Sequence, residues 1–144
     1  MAPTHPDLVL LSAVALIGIG AVVALQVARP QTEYPAGTPE AVVQEFLRAT
    51  SVGDPVALDL LDPGLGCTAW DVENAWMPRD LRVDLLDADV TGTAARVRVE
   101  VVEGGGDDLF GGYERSESFT LERVGADWVV TEMSWPLWCE GSNR

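Results

Sequence analysis

The segment LRVDLLDADV brings Asp84, Asp87 and Asp89 close together in a chain with one histidine and no lysine, where carboxylates are the main groups able to move a proton. General acid–base catalysis needs two such carboxylates in differently polar settings, one held protonated and the other ionised. In an alternating strand Asp87 and Asp89 share one face and Asp84 falls on the other, so the spacing predicts a solvated face rather than a catalytic pair. Asp107 and Asp108, set between glycines in GGGDDLFGG, lack the ligand spacing of a calcium loop and are expected at an acidic hairpin tip.

Other chemistry-bearing residues are scarce. His5 is the single histidine, and everything after it lacks an imidazole to serve as general base or zinc ligand. The chain has no lysine, which removes Schiff-base chemistry and the phosphate-binding lysine of a P-loop. Catalysis would have to run on carboxylates, Tyr34, Tyr113, hydroxyls or arginine. No catalytic, cofactor-binding or metal-ligating residue is therefore assigned, and the chain is expected not to be an enzyme and to need no cofactor. Its formal net charge of −14 reads as a solvated acidic surface, one that repels phosphate backbones and makes nucleic acid an unsuited partner.

Ahead of this acidic part, Leu8 to Ala28 runs without a charge, with only Ser12 and Gln26 as polar members. At about 1.5 Å per residue the run spans a hydrocarbon core of roughly 30 Å, which predicts a transmembrane helix over 8–28. Met1 to Asp7 has no Lys or Arg, unlike the basic start of a cleaved signal, so an uncleaved anchor is expected; cleavage after Ala24 is the alternative. Gly20, Ala24 and Ala28 recur every fourth residue and would form a smooth stripe for packing against another membrane helix.

Arg29 alone weakly favours a cytoplasmic C-terminus. Against it stand the only two cysteines, Cys67 and Cys139. Bridged, they would restrain the unfolded chain by about 4 kcal/mol, an advantage for a small domain in an oxidising space; the other reading is two unrelated buried thiols. An extracytoplasmic domain on a single-pass anchor in the cell membrane is expected.

The elements follow from capping signals and periodicity. Residues 1–7 are a short flank, 29–38 a tether rich in turn formers, and 39–144 one domain. Thr38 caps and Pro39 opens a helix to about Thr50 whose buried stripe is Val42, Val43, Phe46 and Leu47. Asp54 caps a second, short helix with Val56, Leu58, Leu60 and Leu61 inward, and Thr68–Trp76 suggests a further turn with Trp70 and Trp76 packed. From Leu81 the period changes to two: Leu81, Val83 and Leu85, then Ala95, Val97, Val99 and Val101, then Phe119 and Leu121, then Trp128 to Met133. Helices first and an antiparallel meander after them make an α+β fold.

This pattern, TPEAVVQEFLRATSVGDPVALDLL followed by a sheet ending in ESFTLERVGADWVVTEMSW, resembles the NTF2-like (cystatin-like, cone-shaped) domains carried behind a single membrane helix in actinobacterial envelope proteins. The resemblance implies two to three helices packed on a curved sheet. It also implies the role common among relatives of that layout, a non-enzymatic accessory or assembly subunit of a respiratory or transport complex, whose membrane subunits and the bilayer would be the partners. The alternative it offers is a module binding an apolar small molecule or lipid inside the cone. A carboxylate-driven enzyme comes third, and a hydrogen-bonded Asp or Glu deep in a pocket would mark it. In the tail SWPLWC, Trp135 and Trp138 flank a proline; they either fold over the domain or are presented as an aromatic contact to a partner, and they are the assigned partner-contact residues.

Overall fold

The computed structural model describes residues 32–78, 80–104 and 112–140. The run Leu8–Ala28 with Gly20, Ala24 and Ala28, and the pair Asp107 and Asp108, lie outside them. Among the described residues no helix is long and apolar enough to cross a membrane. The described residues from Glu33 onward belong to one unit.

Helix α1, Pro39–Ser51, begins where the sequence predicts. The Thr38 hydroxyl accepts the Ala41 amide at 3.3 Å, Pro39 supplies the first helical position, and Glu40 and Arg48 complement the two helix ends. Val43, Phe46, Leu47 and Thr50 are buried, the i, i+3, i+4, i+7 stripe of a helix lying on a core. Val42, expected in that stripe, is half-buried at its margin.

The second helix is not α-helical. Pro55–Leu60 and Pro63–Leu65 are 3-10 turns, each opened by an Asp-Pro step in which Asp54 or Asp62 accepts an amide two residues on. The inward set differs from the α-helical expectation: Ala57 is buried and Val56 faces out, while Leu61, just past the last 3-10 residue, is buried as expected. Helix α2, Ala69–Glu73, then points only Val72 inward. With so few residues a single position meets the core, so Trp70 and Trp76, expected to pack, stand 68% and 59% exposed.

The sheet is an antiparallel meander in the order β1-β2-β3-β4, formed by Leu81–Thr91, Ala94–Glu103, Tyr113–Val124 and Asp127–Met133. Two-residue turns join β1 to β2 and β3 to β4; each places glycine first at positive φ, Gly92 at 62° and Gly125 at 65°, with a non-glycine at negative φ after it. That combination suits the twist of the flanking strands. The inner face carries the expected alternation: Ala95, Val97, Val99, Val101, Phe119, Leu121 and Val130 are buried beneath α1. The Phe46 and Phe119 rings meet edge to face, centroids 6.1 Å apart. The Asp62 amide donates to the Val130 carbonyl at 2.8 Å, so the 3-10 turns are stitched to β4. The fold is α+β.

One strand departs from simple alternation. A bulge between Leu85 and Asp87 leaves Leu86 unpaired, after which Asp87 sits opposite Arg98 and Asp89 opposite Arg96, while Asp84 faces Glu100. All three aspartates thus share the outer face; the expected separation of Asp84 is corrected by the extra residue.

Candidate functional site

Two of the three outer-face aspartates, Asp87 and Asp84, form ion pairs. Arg98 Nε donates to Asp87 Oδ1 at 3.0 Å and Arg82 Nε to Asp84 Oδ2 at 2.7 Å, both at the surface. The hydrogen bond from Arg98 lowers the Asp87 carboxyl below its ordinary value, the opposite of what a general acid requires. Arg48 acts likewise on Glu45 in α1. Replacing Arg98 with alanine is expected to return Asp87 upward to the ordinary carboxylate range, followed by carboxyl NMR titration; an unchanged midpoint would remove Arg98 as the cause.

A second polar cluster lies on the core side of the sheet. Arg115 pairs with Val101 and Glu117 with Val99, so both point toward the interior, as Phe119 and Leu121 do further along β3. Arg115 forms ion pairs with Glu103 and with Glu117, the latter at 2.9 Å, and its guanidinium lies 5.2 Å from the Trp135 ring centroid. The other Glu117 oxygen accepts the Ser134 hydroxyl at 2.6 Å. Both oxygens of this carboxylate are engaged, and the contacts hold the tail onto the sheet. Neither charge is assigned a role by the sequence alone. Their signal was the unbroken alternation Tyr113, Arg115, Glu117, Phe119, Leu121, which assigns two charges to an apolar face.

The two cysteines meet. Cys67 and Cys139 are disulfide-bonded with 4.7 Å between their Cα atoms, joining the turn before α2 to the tail across 72 positions. The tail residues Trp135, Pro136, Leu137 and Cys139 are buried. Of the two tryptophans assigned to a partner contact, Trp135 is therefore corrected to a core residue, 3% exposed, because Arg115 and the bridge draw the tail inward. Trp138 points the other way and is 70% exposed.

Trp138 does not stand alone. Together with Trp70, Asp71, Asn74, Trp76 and Pro136 it lines a groove of about 240 Å³. One wall comes from α2 and the turn after it, the other from the tail, and the disulfide ties the two walls together. The groove's polar side chains are turned to local bonds. Asp71 Oδ2 accepts the Thr68 amide at 2.7 Å and the Thr68 hydroxyl at 2.8 Å, and Asn74 Nδ2 donates to the Trp70 carbonyl at 2.8 Å. The remaining lining is apolar: the three indoles with Ala75, Pro136 and Leu137. Among the described residues no group of three or more His, Cys, Asp or Glu side chains is placed to hold a metal ion.

No family model and no curated protein matches the chain. Among solved structures it is similar to a SEC-C motif-containing protein from Rhodopseudomonas palustris, at 17% identity and a TM-score of 0.54, over 70% of this chain and 80% of that one. That likeness concerns the fold alone. A substituted variant of an NTF2-labelled protein superposes at a TM-score of 0.48 and 14% identity, over 65% of this chain and 92% of the other. A candidate NTF2-like transpeptidase from Campylobacter jejuni does so at 0.45 and 13%, over 66% and 98%. Similarity at these last two scores decides nothing about activity.

Proposed function

We propose that this chain is a non-enzymatic accessory or assembly subunit of a larger membrane complex, respiratory or transport in type. In this reading the run Leu8–Ala28 anchors an NTF2-like domain on the extracytoplasmic side. The stripe Gly20, Ala24, Ala28 packs on a partner's membrane helix, and the domain docks through the groove. The observation that carries the reading is the placement of Trp70, Trp76 and Trp138, all more than half exposed, around one groove. Burying a large apolar side chain is worth roughly 1.5–3 kcal/mol, so three indoles left in water on one face mark a surface that is covered by something else. Tryptophan is also the residue most enriched among those that dominate binding energy. The disulfide supports an oxidising compartment. No observation favours an apolar ligand inside the domain, where Phe46 and Phe119 are fully buried against each other.

The test is purification of the full chain from its native membranes in mild detergent, with mass spectrometry of what co-elutes. A defined set of membrane subunits at fixed stoichiometry is expected. Trp70→Ala with Trp138→Ala should abolish it while changing stability by only about 0.5 kcal/mol per site, as exposed substitutions do. Elution of the wild-type chain alone would overturn the proposal.

A further inference from the structure

Resting on the docking reading above, we infer that the groove between α2 and the tail receives an extended, positively charged segment of a partner protein, with its arginine or lysine side chains laid on the Trp70, Trp76 and Trp138 rings. Three features of the molecule lead to this occupant. The first is the way the chain treats its other two tryptophans: a guanidinium lies over each, Arg115 at 5.2 Å from the Trp135 centroid and Arg123 at 4.9 Å from that of Trp128. The described groove lining has three further indoles and no basic residue.

The second feature is charge. Asp71 lies in the groove, Glu73 and Glu140 adjoin its walls in sequence, and the whole chain carries −14. A cation over an indole face is worth about 0.5–1 kcal/mol at an exposed site and more once water is excluded, and surrounding carboxylates add long-range attraction. The same field opposes an anionic bilayer surface.

The third feature is what the polar groups no longer offer. A sugar on an aromatic platform is held by side-chain hydrogen bonds to its hydroxyls. Here the Asp71 oxygen Oδ2 and the Asn74 amide nitrogen are committed to Thr68 and to the Trp70 carbonyl, which leaves Asp71 Oδ1 and Asn74 Oδ1, both acceptors, as the main polar atoms for a sugar to meet. A cationic side chain over a ring needs no such donor or acceptor, and it still feels the Asp71 charge.

The experiment uses the full chain labelled with 5-fluorotryptophan in phosphatidylcholine nanodiscs, its fluorine signals assigned by single Trp→Phe substitutions. The probes are a heptapeptide alternating glycine and arginine and its citrulline counterpart, which keeps the shape and drops the charge. Titration of the arginine peptide is expected to shift the Trp70, Trp76 and Trp138 signals and leave Trp128 in place. The citrulline peptide should bind about tenfold or more weaker, and so should the arginine peptide to the Trp70→Ala, Trp138→Ala variant, whose net charge is unchanged. Equal binding of the two peptides, or affinity that survives the double substitution, would overturn the inference. So would groove signals that answer chitohexaose or a spin-labelled phosphatidylcholine but not the arginine peptide. A chain that co-purifies with membrane subunits yet shows no peptide response loses the cationic occupant and keeps the docking role. Peptide binding with nothing co-purifying removes the docking role alone.

Discussion

Replacing Cys67 and Cys139 together by alanine is expected to destabilise the domain by about 4 kcal/mol, the loop-entropy value for a bridge closing 72 positions. For a domain of this size that is a fall in midpoint of roughly 15 °C or more, read by thermal unfolding with and without reductant. Cys139 is itself buried, so its truncation adds a packing loss to the entropic one. The effect should not stop at stability. The bridge is the covalent tie between the wall bearing Trp70 and the wall bearing Trp138; the ionic contacts of Arg115 and Glu117 reach the tail at Ser134 and Trp135, and beyond them Pro136 and Leu137 add packing in the core. Reduced protein below its lowered midpoint should therefore keep its sheet and lose the groove. In fluorine NMR the Trp138 signal would move toward its position in a free peptide, while Trp128 stayed put. A midpoint indifferent to reductant would mean that the tail is held by its packing alone.

The division between what could be read in advance and what could not follows from where each signal is local. Thr38-Pro39 and the spacing of Val43, Phe46 and Leu47 specify α1 within a dozen residues, and the two-residue alternation of β2 needs only the strand itself. The pairing of Cys67 with Cys139 was legible from number and separation. The bulge at Leu86 was not, because an extra residue shows only against a partner strand, and it alone brings Asp84 onto the face of Asp87. The 3-10 form of Pro55–Leu60 likewise depends on a choice between three and 3.6 residues per turn that so short a segment leaves open. The groove was hidden for a further reason. Its walls lie far apart in the chain, and a turn running over Thr68–Trp76 would pack Trp70 and Trp76, whereas α2 is too short to turn more than Val72 inward. Trp135 and Trp138 stand three positions apart in an irregular tail, where no period tells which ring turns in.

Phe119→Ala should produce the largest loss of any single substitution, about 3–5 kcal/mol, measured by urea unfolding. Phe119 has no exposed surface; it projects from β3 against Phe46 of α1, so its removal opens a cavity between helix and sheet rather than at an edge that could close. Total stabilities of such domains run about 5–15 kcal/mol, so a loss of this size takes most of the stability of a domain at the low end, and Phe119→Leu, expected to cost under about 1.5 kcal/mol, provides the measurable companion. Phe46→Ala should resemble Phe119→Ala, and the double variant should cost less than the two together by about 0.5–1.5 kcal/mol, the coupling of an edge-to-face pair. Neither ring lines the groove, so Phe119→Leu should retain peptide binding and co-purification, whereas Trp70→Ala with Trp138→Ala should retain stability and lose both. That crossed pattern is the sharpest separation of scaffold from surface the molecule offers. If Phe119→Ala instead cost under about 1 kcal/mol, the space between α1 and the sheet would already be loose enough to collapse or to admit a small apolar molecule, and the interior, not the groove, would become the place to look for function.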